Sequence, residues 1–140
     1  MAKKNNMGGW SLALLRIVLG FIFLYHGYIK LFAKDVFPNT VTYFAGLGLP
    51  VPAYSALLVS VVEFAGGLFM VLGVVTRWSS ALLLVNMLTA FFLVHLNKGF
   101  LVSEGGYEFV LALIAGLAAV LANGAGNLSL GKSFKNRQLQ

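Results

Sequence analysis

Four long apolar stretches dominate the chain, and the polar residues that interrupt them are few. They run over about residues 11–33, 53–75, 80–97 and 107–122. Each reads as a helix on the scale needed to cross a bilayer core about 30 Å thick, for which about 20 residues suffice. The segment 35–52 between the first two is broken by Pro38, Pro50 and Pro52 and by Gly46-Leu47-Gly48, so it does not span. Its middle, NTVTYFAGL, predicts one short interfacial helix opened by Asn39 or Thr40 as cap. Thr76-Arg77-Trp78-Ser79 reads as a tight turn, Lys98 to Gly106 as a second loop, and 123–140 as a basic polar tail. The pattern predicts an all-α integral membrane four-helix bundle, a single membrane domain over residues 1–140.

Composition strengthens this reading. The 140 residues are 59% hydrophobic and 10% charged, with a mean hydropathy of +0.88. A soluble fold of this size keeps too much surface to hide so many apolar side chains. The leader MAKKNNMGGW and the first apolar run resemble a signal peptide only superficially. The run is too long, and Lys30 and Lys34 follow it in place of a small-residue cleavage site, so it is read as retained. The absence of cysteine excludes disulfides, thiol redox chemistry and thiolate metal sites within the chain.

A net charge of +6 would suggest nucleic acid if the bases formed a face, but they sit at the ends of apolar runs. Lys3, Lys4, Arg16, Arg77, Lys132, Lys135 and Arg137 fall on the side of the termini, against Lys30, Lys34 and Lys98 on the other. The positive-inside rule then puts both termini in the cytoplasm of a multi-pass cell-membrane protein. Trp10 and Trp78 mark the inner interface; Tyr28, Tyr43, Tyr54 and Tyr107 mark the outer.

Ionisable residues inside the apolar runs are the candidate chemistry. Arg16, Gly20, His26, Gly27 and Lys30 fall within a stripe of roughly 120° on the first helix. Ala56, Ser60, Glu63 and Gly67 share a face of the second, and Glu108 heads a small-residue face of the fourth. At about 1.5 Å per residue, His26, Lys30, His95 and Glu108 lie in the outer third, and Glu63 lies near the midplane. Asn86 and His95 are nine positions apart, hence on opposite faces of a straight third helix. Arg16 either snorkels to the inner headgroups or pairs with Glu63. A midplane carboxylate is costly in lipid, so Glu63 is the leading functional candidate.

The order Arg16-x3-Gly20-x2-Phe23-x3-Gly27-x2-Lys30, then Phe44 and the stretch from Gly46 to Pro50, Glu63-x2-Gly66-Gly67, Gly73-x2-Thr76-Arg77 and GAGNLSLG at 124–131 resembles the DoxX family over nearly the whole chain. That family's usual ending is closer to Gly-Pro-Gly-Arg-x-Ser-x-Asp. Here Ala125, Asn127 and Gly131 replace its proline, arginine and aspartate.

The resemblance implies a small subunit linked to quinone-dependent oxidation. The expected catalytic set is Glu63, His26, His95 and Glu108. The expected quinone-binding set is Arg16, Lys30, Phe23, Phe64, Phe91 and Phe92, in a pocket open to the outer side. No resident metal is expected. The chain carries no cofactor motif, so its partners are expected to be the lipid bilayer and either a membrane or peripheral redox subunit or a second copy. A non-enzymatic scaffold is the first alternative. A small-solute transporter, or a metal site built from the two histidines with Glu63 and Glu108, is the second.

Overall fold

The computed structural model describes residues 7–132, with no strand among them. Lys3, Lys4, Lys135 and Arg137, counted above for orientation, lie outside the described residues. Five α-helices follow in order: α1 Met7–Phe32, α2 Val36–Gly46, α3 Pro52–Leu72, α4 Thr76–Ala90 and α5 Glu108–Asn123. A π-helical turn, Phe91–His95, and a 3-10 turn, Leu96–Lys98, prolong α4. Three segments are long and apolar enough to cross a membrane: Met7–Phe32, Pro52–Leu72 and Thr76–Lys98. α5 is as apolar but shorter, about 24 Å at 1.5 Å per residue.

The boundaries correct the expectations in three places. The segment 35–52 holds an eleven-residue helix, α2, which starts ahead of Pro38. Proline is harmless there because a first-turn N–H has no intrahelical partner. Asp35, in the left-handed region at φ 61°, precedes it, and no side chain caps it, so neither Asn39 nor Thr40 plays that part. The expected turn at residues 76–79 is the start of α4, and the chain reverses earlier, through Gly73 at φ 71° and Val75 at φ 43°.

α1 packs on α3, α3 on α4, α4 on α5 and α5 on α1. The core between them is Leu19, Phe23, Met70, Leu83, Met87, Val110, Leu113, Leu117 and Val120. The α1–α3 contact is backbone on backbone. A Cβ at Gly27 would strike the amide of Phe64, and one at Gly67 would strike the amide of Leu24. Small residues at these positions are what let two helices close where lipid supplies no hydrophobic drive between them.

The distribution of polarity is inverted relative to a soluble protein. Arg16, Ser60, Glu63, Thr76, Ser79 and Ser80 are buried, while Leu14, Phe21, Leu58, Leu82 and Val85 are exposed. Large apolar exposure of this extent marks a surface that meets something other than water.

Candidate functional site

Two of the buried groups carry charge, and each is satisfied differently. Arg16 is fully buried. Its guanidinium donates to the carbonyls of Met70 and of Val71 (3.1 Å) at the end of α3. It also donates to Ala125 O and Leu128 O, both at 2.9 Å, in the segment after α5. The planar fork of arginine suits such a convergence, and a cation is favoured at the carbonyl end of a helix. Ser129 Oγ and the Gly131 amide donate to Gly73 O, at 2.7 and 3.2 Å, and the Asn127 amide to Gly9 O at 2.9 Å. The segment 124–131 is thus anchored by Arg16, by the Ser129 hydroxyl and by backbone bonds, without the charges that the family's usual ending would supply. Arg16 neither snorkels nor touches Glu63.

Glu63, 3% exposed, takes its partners from two other helices. Lys30 Nζ donates to Oε2 at 2.6 Å, and Asn86 Nδ2 donates to Oε1 at 3.0 Å. The positions follow from the sequence. Lys30 ends α1 on the stripe that faces α3, and Gly27, one turn before it, brings the helices close enough for the ammonium to reach.

Beside this network lies a cavity of about 730 Å³, at the end of the molecule away from Gly9 and Asn127. His26, Lys30, Phe23, Glu63, Asn86 and His95 all line it. The π-helical turn explains why Asn86 and His95 share a cavity despite their spacing. A turn closed by i→i+5 bonds holds more residues per revolution, so each residue in it rotates less and the far side chain swings back toward the near one's face. His95 Nδ1 lies 2.6 Å from Gly105 O.

α2 supplies a wall that the sequence reading did not assign. Val36, Asn39, Thr40, Tyr43, Phe44 and Leu47 line the cavity. Their spacing of i, i+3, i+4, i+7, i+8 and i+11 was the available signal, a regular stripe on one helix face. Met87, Phe109 and Val110 are among the further apolar residues of the lining.

The remaining expected site residues lie elsewhere. Arg16 is held at the opposite end. Glu108 Oε1 accepts the Val102 amide at 2.8 Å and stands outside the cavity lining. Phe64 packs edge-on to Phe32 at 5.6 Å, and Phe91 stacks between Phe92 and Tyr107 at 5.1 and 5.3 Å. Neither lines the cavity, and nor does Phe92, which is largely exposed. Among the described residues no three of the histidines and carboxylates come together as metal ligands, which removes the metal site built from His26, His95, Glu63 and Glu108.

Apolar helices turned outward around a buried ion pair and an amphipathic cavity define a small all-helical membrane protein. The chain belongs to the DoxX family, whose model matches residues 11–96, from α1 through the π-helical turn. It is 33% identical over 130 residues to an uncharacterized protein of Haemophilus influenzae, covering 89% of this chain and 91% of the relative. It is 30% identical to an uncharacterized membrane protein of Mycobacterium tuberculosis, covering 91% and 83%. It is 28% identical to a Bacillus subtilis protein named "Putative oxidoreductase CatD", covering 71% and 70%. No solved structure matches.

Proposed function

We propose that this chain is a four-helix bundle of the cell membrane with cytoplasmic termini, acting as a redox-linked subunit that holds a quinone or quinol in the 730 Å³ cavity. The observation that carries the reading is the composition of that cavity. Apolar and aromatic walls from α1, α2, α4 and α5 surround one ionic network around the buried Glu63 and two imidazoles. Ligand sites of a few hundred to about 1,000 Å³ commonly combine apolar walls with a few convergent polar groups. A quinone supplies two-electron, two-proton chemistry when bound, and its head and tail match those two kinds of lining.

The chain's own residues would divide the work. Lys30 Nζ keeps N–H groups beyond the one given to Glu63 and can donate to a ligand oxygen. Glu63 holds the Lys30 side chain in place through the 2.6 Å contact. Phe23 and Phe109 border the ring and exclude water. His26 and His95 bring imidazole nitrogens to the cavity that can donate to or accept from a ligand oxygen. The electrons come from a partner chain, since this chain carries no cofactor motif; the redox role itself is in keeping with the name that the Bacillus subtilis relative carries.

Lipid extraction of protein purified from its native membranes tests the reading. Bound quinone is expected, and Lys30→Met is expected to lose it. A preparation with neither bound quinone nor quinone-dependent turnover would overturn the proposal. The orientation is separately testable because the chain has no cysteine of its own. A thiol placed at Lys98 should react with an impermeant reagent on intact cells, and one at Arg77 only after permeabilisation.

A further inference from the structure

We propose that His95 makes the cavity selective for a ring bearing a free phenolic hydroxyl, and hence for the reduced form of the ligand. This deepens the quinone reading of the cavity and rests on it. The argument is one of donors and acceptors. A backbone carbonyl only accepts, so the 2.6 Å contact between His95 Nδ1 and Gly105 O requires the proton on Nδ1. In the neutral ring, Nε2 is then a bare acceptor.

The carbonyl that sets this tautomer is itself fixed. The Gly105 amide donates to Val102 O at 2.9 Å, closing the 3-10 turn Val102–Glu104. Glu108 Oε1 holds the same turn through the Val102 amide. Glu108 therefore acts on the cavity at one remove, as a positioning residue for the group that orients His95.

The same wall repeats the polarity deeper down. Asn86 gives its Nδ2 to Glu63, which turns its own carbonyl oxygen into the free end. Along α4 and the π-helical turn, a ligand thus meets acceptors. A quinone ring offers only carbonyl acceptors and leaves His95 Nε2 unpaired, whereas a hydroxyl satisfies it. Lys30 can donate to an oxygen of either form and does not discriminate. His26 has no partner among the described hydrogen bonds that would fix its tautomer, so it adapts to both.

The test uses the full chain in lipid nanodiscs, without oxygen and at one fixed, mildly alkaline pH. Calorimetry compares an alkylated hydroquinone, its dimethyl ether and the matching benzoquinone. The hydroquinone should bind at least about tenfold tighter than the other two, the scale of one well-formed hydrogen bond. His95→Phe should bring the three within about twofold. Equal binding of hydroquinone and benzoquinone by the unmodified protein would overturn the proposal, and so would a preference that survives His95→Phe. Should His95→Phe fail to fold, the unmodified protein's ligand series still decides. Binding of none of the three would instead sink the quinone reading itself, and this inference with it.

Discussion

The molecule buries two charges that share α3. Arg16 reaches Met70 O near that helix's end. Glu63 stands seven residues earlier, about 10 Å away at 1.5 Å per residue, bonded to Lys30 at the far end of α1. At one end Arg16 is satisfied entirely by backbone carbonyls, from α3 and from the segment after α5. At the other, Glu63 is satisfied entirely by side chains, and a cavity opens beside them. Backbone partners cannot titrate, swing away or be exchanged for a ligand. Side-chain partners can do all three. The same feature in the sequence, an ionisable residue within an apolar run, therefore serves closure at one end and access at the other.

The comparison is most exposed to failure at Arg16. Arg16→Met should strand several carbonyls away from water, each costing about 1–3 kcal/mol. A total loss above about 4 kcal/mol is expected, read as a collapse of thermal stability in detergent with loosening of residues 124–131. Arg16→Lys should recover only part of it, since an ammonium lacks the planar fork that reaches several carbonyls at once. A stable Arg16→Met protein would show that this end is not held as described.

The Glu63 end should break less and, unlike the first, should be repairable. Lys30→Met leaves a buried carboxylate with Asn86 alone, a loss of about 2–3 kcal/mol once the partial exposure of Lys30 is allowed for. Lys30→Met with Glu63→Leu removes both charges and should regain most of that stability. Arg16 has no such second change, because its partners are peptide groups. If the double variant folds normally yet holds no quinone, the pair belongs to the site. If it still binds, the pair is scaffold.

Much of this contrast was legible in the sequence, though not its assignment. Three of the four apolar runs match segments long enough to cross a membrane, and Gly20 and Gly27 of the Arg16-to-Lys30 stripe lie against α3. Pairing is where sequence alone fails. Arg16 and Glu63 look like natural partners at helical depth, but depth ignores the carbonyls that a bent chain end can bring to a guanidinium. The nearer cation, Lys30, looks like a boundary marker because lysines at helix ends usually are. His95 and Asn86 are separated by a straight-helix rule that the π-helical turn suspends, and no residue type announces such a turn. The α2 wall is a different case. Its stripe was present in plain spacing, and the prolines around it drew attention away.

The finest test of the comparison concerns polarity that neither end uses. Thr76, at the start of α4, is fully buried, and its Oγ1 has no hydrogen-bond partner among the described residues. Its carbonyl still receives Ser80 Oγ at 2.8 Å, a bond that does not depend on the Thr76 side chain. Thr76→Val keeps the shape and the β-branch and removes only the hydroxyl. If burial of a polar atom matters here only through the bonds it makes, the change should be neutral or stabilising by up to about 1 kcal/mol, since an unsatisfied buried group carries its desolvation cost uncompensated. A loss of about 1 kcal/mol or more in the same unfolding assay would mean the hydroxyl has a partner when folded. The closed end would then depend on a second hydroxyl besides that of Ser129, and the division drawn between the two ends would need to be redrawn there.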